Sequence, residues 1–261
     1  MRINQVTPEC INSTPLVAAI RPALAQPDQD SEQIDQLVRE LVARRADVRQ
    51  VVPGNVFYTA LSAACLGAGP GTINFLLDEG AAADLADPVF GRLRLHFAAA
   101  NGPENFRTIP LAFRGSPLHS DSASKTSLHW AARYGNADAV RFILASKAMD
   151  EGAARARYVD QRDEHGWTPL CWAVRELELR LIGDMRSETA DHAAVVRMLL
   201  ENGADAEVEC RLSDGEATET LTVLDLARRS AGDEVIGALI KHLEQRHPID
   251  TGTGGSPVRR Y

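Results

Sequence analysis

The sequence predicts an all-α solenoid in which stacked helix pairs are joined by short β-hairpin loops. A Thr-Pro-Leu segment at Thr168 is typical of a helix start, because Thr caps helices and Pro is tolerated in the first turn. Further along, the apolar stripe 195–200 predicts a second helix that ends near Gly203. The position of this Thr-Pro-Leu segment, which we call the Thr-Pro-Leu slot, recurs along the chain. A helix pair this short cannot bury its apolar face alone, so neighbouring pairs must stack on it.

The Thr-Pro-Leu slot occurs six times. It begins at Thr14, Thr59, Leu93, Thr126, Thr168 and Thr222. Successive starts are 45, 34, 33, 42 and 54 residues apart. Two intervals fit a repeat of about 33 residues, and the longer ones indicate insertions. We therefore predict one domain, residues 1–245, and a flexible Gly- and Pro-rich tail, 246–261. The six repeats span about 12–52, 53–87, 88–120, 121–159, 160–207 and 208–245.

The first three repeats depart most from the pattern. The first carries a polar insert, 21–30, before its outer helix, 34–45. The second has Ser62 at the position where the third and fourth have His. The third keeps His96 but lacks Thr-Pro, and Pro110 is expected to end or kink its outer helix. The third repeat is therefore the weakest part of the predicted array.

The last three repeats follow the pattern more closely, with insertions. In the fourth, the inner helix begins at Thr126 and the surplus residues 148–158 predict an extended outer helix or a loop. In the fifth, the apolar residues within 176–191 predict a lengthened inner helix. The sixth is expected to start with a long hairpin, 208–220, which turns at an Asp-Gly pair.

The fourth and fifth repeats resemble ankyrin repeats, in which a polar turn ending in Gly precedes Thr-Pro-Leu-His-x-Ala. The matching segments are 126–131 and 168–173, and Gly166 ends the turn before the second. The resemblance extends over nearly the whole chain, up to about Leu243. It implies a concave surface of hairpin tips and inner-helix positions that binds another protein. Since a fold does not determine a function, this expectation rests on analogy.

The resemblance places candidate protein-binding residues in the fourth and fifth repeats. They are Lys125, Arg133, Tyr134, Glu164, His165, Trp167, Arg175 and Glu176. We expect Trp167 to contribute most, because it follows Gly166 at an exposed tip and Trp is over-represented in binding hot spots. The alternative is that Trp167 packs on the neighbouring hairpin. Trp130 and Trp172 lie between core positions, so partial burial is expected for both.

Other groups of reactive side chains favour structure over catalysis. His96 and His129 lie where ankyrin repeats use His to hydrogen-bond adjacent repeats, and no further ligand has the spacing of a zinc site. The run 119–121 contains His, Ser and Asp, but adjacent residues cannot face one another as a catalytic triad must. We expect no metal, no cofactor and no enzymatic activity. The alternative is an enzyme with its site in the insertions 148–158 and 176–191, which are short for a preorganised site.

Composition restricts the partner and the compartment. The net charge of −8 disfavours nucleic-acid binding, which requires clustered Lys and Arg, and it fits either a basic protein partner or solubility alone. The four cysteines are far apart and two lie on apolar helix faces, which favours reduced thiols in the cytoplasm. No segment approaches the ~20 apolar residues of a membrane span. Arg21 and Pro22 interrupt the apolar run near the start, so no signal peptide is expected.

The sequence thus favours a stand-alone ankyrin-repeat protein that occupies the surface of a partner protein. Its Ala- and Arg-rich composition favours a bacterial origin. Bacterial proteins similar to it include neutralising partners of toxins and secreted effectors that act on host proteins. An acidic binder would suit a basic toxin, but the sequence does not separate these two roles.

Overall fold

The computed structural model describes residues 13–25, 31–52, 59–82, 85–100, 118–146, 152–175, 190–213 and 218–246. These residues form twelve helices and one two-stranded sheet. The helices are α1 (Pro15–Ala25), α2 (Ser31–Ala43), α3 (Ala60–Gly67), α4 (Pro70–Asp78), α5 (Arg94–Ala100), α6 (Ser127–Arg133), α7 (Ala137–Leu144), α8 (Gly152–Val159), α9 (Pro169–Val174), α10 (His192–Glu201), α11 (Val223–Ser230) and α12 (Asp233–Arg246). Strands β1 (Glu209–Ser213) and β2 (Thr218–Thr222) form the antiparallel hairpin predicted for the sixth repeat.

The predicted Thr slot begins a helix wherever Thr is present. The hydroxyl oxygens of Thr14, Thr59, Thr168 and Thr222 each accept the backbone N–H of the residue three positions later. Thr126 uses a capping box instead, in which the imidazole of His129 accepts the Thr126 backbone N–H. These caps satisfy N–H groups that have no partner within the helix. The start of each inner helix is therefore determined locally.

The helices form two rows. In the inner row, α1, α3, α5, α6, α9 and α11 contact one another in succession. In the outer row, α2 contacts α4, and α7, α10 and α12 follow one another. The predicted outer helix of the third repeat, including Pro110, lies outside the described residues. The inner row consequently forms a continuous surface from the first repeat to the sixth.

The core lies between the rows and between successive repeats. Leu128, Leu170 and Leu199 are completely buried, as predicted. Ala131 and Ala173 are also completely buried in the inner helices, where a small side chain lets neighbouring helices approach closely. One hydrophobic cluster continues through all the repeats. This arrangement confirms the predicted stacking of helix pairs.

The insertions differ from their predictions. Helix α9 ends at Val174, and Arg175 has non-helical dihedral angles (φ −91°, ψ 69°), so the prediction of a lengthened inner helix is wrong there. Residues 176–189 lie outside the described part. The insertion of the fourth repeat forms a separate helix, α8, whose buried Tyr158 places its hydroxyl oxygen 3.2 Å from Ser127 Oγ. This insertion therefore packs against the start of α6.

The predicted tail begins at residue 246, but Arg246 is still helical and is the last residue of α12. Residues 247–261 and the Asp-Gly turn of the sixth hairpin are outside the described residues. Within the described part, no helix has both the length and the apolar character needed to cross a membrane.

Candidate functional site

A buried carboxylate organises the hairpin tip of the fifth repeat. Asp163 Oδ1 accepts the backbone N–H groups of His165 and Trp167, both at 2.9 Å. Its other oxygen, Oδ2, accepts the indole Nε1–H of Trp172 at 2.9 Å. Asp163 is 5% exposed, so these hydrogen bonds replace those it would make with water. The same carboxylate therefore folds the tip and sets the orientation of the Trp172 ring.

The fourth repeat contains a copy of this arrangement. Asp121 Oδ1 accepts the backbone N–H groups of Ala123 and Lys125 at 3.0 and 2.9 Å. Asp121 Oδ2 accepts the indole Nε1–H of Trp130 at 3.2 Å. The Trp130 ring also stacks on Tyr134, with 6.1 Å between the ring centroids. Two successive repeats thus present an oriented tryptophan at the same position.

A cation from the preceding repeat lies over the ring of each oriented tryptophan. Lys125 Nζ lies 4.7 Å from the ring centroid of Trp172 and 3.9 Å from Asp163 Oδ2. One repeat earlier, the guanidinium carbon of Arg92 lies 4.5 Å from the centroid of Trp130. Lys125 and Arg92 both immediately precede the first residue of the slot. The ring of each repeat is therefore paired with the hairpin tip of its neighbour.

Two arginines at the ends of inner helices complete the group around Trp172. The guanidinium carbon of Arg133 lies 4.9 Å from the Trp172 centroid, and that of Arg175 lies 6.0 Å from it. Arg175 is also 4.8 Å from the centroid of Trp167, whose ring is 5.2 Å from that of Trp172. We call Lys125, Arg133, Trp167, Trp172 and Arg175 the cation–tryptophan cluster.

The cations of this cluster repel one another. Burial lowers the pKa of Lys125; the carboxylate of Asp163 opposes that shift, and the positive charge of Arg133 adds to it. Burial also lowers the pKa of Arg175, and Arg133 again contributes in the same direction. The positive charge of Arg133 thus lowers the pKa of both Lys125 and Arg175. Its Nε atom is buried and makes no hydrogen bond within the described part of the chain.

Trp167 does not lie where the sequence placed it. Its side chain is 2% exposed, and its Nε1–H donates to the carbonyl oxygen of Arg211 in β1 at 2.8 Å. The expectation of an exposed tip is wrong, and the alternative, packing on the neighbouring hairpin, is confirmed. The physical reason is the register: Trp167 occupies the position of Lys125 in the preceding repeat, which reaches towards the next repeat rather than solvent.

The other candidates separate into two groups. Lys125, Arg133, Tyr134 and Arg175 are all partly buried, and they lie together on the inner face, which we define as the hairpin tips and inner helices of the third to fifth repeats. Glu164 and His165 are exposed at the fifth tip, with 3.5 Å between Glu164 Oε1 and His165 Nε2. Glu176 lies outside the described residues.

The sequence analysis did not include Asp163 or Arg92 among the candidate residues, and it predicted only partial burial for Trp172, which is buried. The signal that could have identified the Asp–Trp pair is the number of residues between them. In both the fourth and the fifth repeat, an Asp stands nine residues before the Trp whose indole it accepts, at Asp121 and Trp130 and again at Asp163 and Trp172. That spacing marks a side chain that folds a tip and orients a ring.

The described residues contain no group of three or more His, Cys, Asp or Glu side chains that could hold a metal ion. The cysteines they contain, Cys65, Cys171 and Cys210, are buried and form no disulfide. Burial raises the pKa of the Cys65 thiol to about 12, so it is protonated at neutral pH and a poor nucleophile. The chemistry of the inner face is consequently that of cations and aromatic rings.

Comparisons with known proteins agree with this architecture. Residues 95–210 match the family model described as ankyrin repeats in three copies. The chain is also similar to the crystal structure of the human ASB11 ankyrin repeat domain, with a TM-score of 0.59 and 22% sequence identity over 99% of this chain and 90% of that one. No curated protein sequence matches the chain. The chain therefore carries ankyrin repeats in residues 95–210 and has the ankyrin-repeat fold.

Proposed function

We propose that this chain binds a partner protein through its inner face. Ankyrin repeats are in general protein–protein interaction modules. The observation that carries the proposal for this chain is the cation–tryptophan cluster. Interfaces are enriched in aromatic residues and Arg relative to other surfaces, and binding hot spots in Trp, Tyr and Arg. The cluster holds these residue types in fixed positions on two adjacent repeats.

The placement of the cations supports a binding role over a purely structural one. The Lys125 side chain keeps 14% of its surface exposed, and Arg133 and Arg175 are also only partly buried. Three like charges close to one ring repel one another and destabilise the packing of the two repeats. Apolar side chains of similar volume would fill the space without this repulsion. A surface that retains them is better explained by something it binds.

Occupation of a partner's surface is the simplest mechanism that follows, because it blocks that surface for others. The role is then that of a neutralising partner of a bacterial toxin or an effector that acts on a host protein. A cytoplasmic location is part of the proposal. It is supported by the three buried thiols of the described residues that form no disulfide, since reduced cysteines are usual in that compartment.

The test starts from affinity capture with the full chain as bait, followed by mass spectrometry. Each captured protein is then purified, and its binding is measured by titration calorimetry with the unmodified chain and with Tyr134→Ala. We expect Tyr134→Ala to weaken binding at least about tenfold, because its ring stacks on Trp130 at the inner face.

The matched control is Arg141→Ala. Arg141 lies on the outer helix α7, its side chain is 64% exposed and it forms an ion pair with nearby Asp138. Its replacement should leave the affinity unchanged. Equal affinity of both variants for every purified partner would place the interface away from the inner face and reject the proposal.

A further inference from the structure

We infer that the cation–tryptophan cluster is a subsite for carboxylate groups, and that the partner presents an acidic segment to it. This inference rests on the proposed protein-binding function and adds the chemistry of what is bound. It concerns the place on the inner face where three cations converge on the oriented ring of Trp172.

The geometry brings three positive charges close to one ring. The charged groups of Lys125, Arg133 and Arg175 lie 4.7, 4.9 and 6.0 Å from the Trp172 centroid. Asp163 is the carboxylate at this ring, but its oxygens already accept two backbone N–H groups and one indole N–H. It forms an ion pair with Lys125 Nζ at 3.9 Å, and it brings one negative charge against the positive charges of Lys125, Arg133 and Arg175. Asp163 therefore neutralises the cluster only in part.

Arg133 is the cation best prepared to bind an anion. Its guanidinium rests on the faces of Trp172 and Tyr134, at 4.9 and 5.8 Å from their centroids. No ion pair or hydrogen bond joins it to any other described residue. A guanidinium stacked on rings still presents N–H donors along its edge, in a planar fork that matches a carboxylate. Stacking thus holds the group in place, and because Nε is buried, the donors left for a ligand are those of the two terminal NH2 groups.

The surroundings extend the positive field. Arg92 lies over Trp130 in the preceding repeat and continues the row of cations along the inner face, although the carboxylate of Asp121, with Oδ2 3.7 Å from Arg92 Nε, offsets part of its charge. Glu164 at the fifth tip has a half-exposed side chain that faces His165. The chain as a whole carries a net charge of −8. An acidic segment is therefore repelled by most of the molecule and attracted to this patch, which favours one docking position.

Charge thus selects the kind of partner. The net charge alone fits either a basic protein partner or solubility, but a basic segment would meet like charges at the cluster. Nucleic acid is also anionic, yet the repulsion from a net acidic chain grows with the length of a polyanion. A short run of Asp or Glu side chains within a folded or extended partner segment fits the patch best.

The chain itself offers a competing source of carboxylates. Glu176 and Glu178 follow Arg175 directly in the sequence. If they occupied the cluster, neutralising them would expose a site that the unmodified chain does not offer. The experiment must therefore include the variant Glu176→Gln/Glu178→Gln.

The test uses short fluorescein-labelled peptides and the full-length chain, with binding followed by fluorescence anisotropy. One peptide alternates Glu and Gly, and its counterpart alternates Gln and Gly. A labelled single strand of thymidine nucleotides of equal length is the third probe. We expect the Glu peptide to bind at least about tenfold more tightly than the Gln peptide, and more weakly as salt rises from about 50 to about 200 mM.

Arg133→Gln should reduce the affinity for the Glu peptide at least about tenfold, and Arg133→Lys should give an intermediate loss because it keeps the charge without the fork. Arg141→Gln, on the outer helix, should change nothing. Thermal unfolding of each variant shows that the fold is retained.

Four outcomes would overturn the inference: equal binding of the Glu and Gln peptides, tighter binding of the oligonucleotide, unchanged affinity in Arg133→Gln, or binding that appears only in the Glu176→Gln/Glu178→Gln variant. The protein-binding function is tested separately by the uncharged position Tyr134 and a purified partner. A partner sensitive to Tyr134→Ala together with a negative peptide result would leave that function intact and reject the carboxylate subsite.

Discussion

His129 of the fourth repeat is hydrogen-bonded to Trp167 of the fifth, with 3.2 Å between the imidazole Nε2 and the carbonyl oxygen. The other ring nitrogen, Nδ1, accepts the backbone N–H of Thr126 at 3.1 Å. Because Nδ1 accepts, the proton of the neutral ring resides on Nε2, which donates to the carbonyl oxygen. For His129 this confirms the expectation that His in this slot joins adjacent repeats, and it makes the neutral form part of the repeat contact. His96 differs, because its Nε2 is buried and makes no hydrogen bond within the described residues.

Stability should therefore depend on pH. Burial lowers the pKa of His129, and likewise that of His96, from 6.5 to about 4. Between these values the unfolded chain takes up protons that the native chain does not, so the free energy of unfolding should fall as the pH falls from about 6.5 to about 4. At pH 5 the expected loss is about 2 kcal/mol for each His. Urea unfolding at pH 7 and pH 5 measures it.

The control for this prediction is His129→Gln, which removes one titrating group. Its unfolding free energy should be lower at pH 7 but should fall less between pH 7 and pH 5. If the unmodified chain is equally stable at both pH values, the neutral histidines are not coupled to folding.

Leu170→Ala should destabilise the chain by about 2–5 kcal/mol, since Leu170 is 0% exposed between the inner helices and its truncation leaves a cavity. Leu37→Ala is the matched control, because Leu37 on α2 is 45% exposed. Denaturant unfolding compares the two. A loss at Leu170 no larger than at Leu37 would mean that the assigned register is wrong.

Trp167→Ala should act on stability first. Its ring is buried, and its indole N–H joins the fifth tip to Arg211 in β1, so truncation should cost about 3–5 kcal/mol. Trp167→Phe keeps most of the packing but leaves the Arg211 carbonyl oxygen without this donor, and should cost less. Thermal unfolding followed by circular dichroism ranks the three proteins. A fully stable Trp167→Ala variant that loses only partner binding would restore the view of Trp167 as an exposed contact.

Two glycines that each lie two residues beyond the end of a helix should respond differently to alanine. Gly135 and Gly203 both have positive φ, +65° and +91°, which alanine adopts at a cost of about 1–2 kcal/mol. A Cβ at Gly135 would also approach His192 Cδ2 to 2.9 Å, whereas one at Gly203 would have no atom within 4 Å. Gly135→Ala should therefore be the more destabilising. Comparable urea midpoints would show that the contact with His192 yields without strain.

The sequence was sufficient where a structural cause is local. Thr168 caps α9 through a residue three positions away, so the helix start could be predicted from that segment alone. The end of α9 at Val174 could not, because the apolar residues that follow resemble a continuing helix. The cluster also escaped prediction, since Lys125 and Trp172 meet only through the stacking of two repeats. For the same reason the sequence left two alternatives open for Trp167, an exposed tip or packing on the neighbouring hairpin.

The offset between a hairpin tip and the ring it serves has a consequence for how such a protein can be lengthened, shortened or recombined. Lys125 lies over the tryptophan of the next repeat, and the sixth repeat has Leu226 in place of that tryptophan. Excising the fifth repeat as a sequence unit would thus bring an ammonium group over an aliphatic side chain and remove Asp163 as well. The transferable module is the boundary between two repeats, and a functional graft must carry the tip of one together with the inner helix of the next.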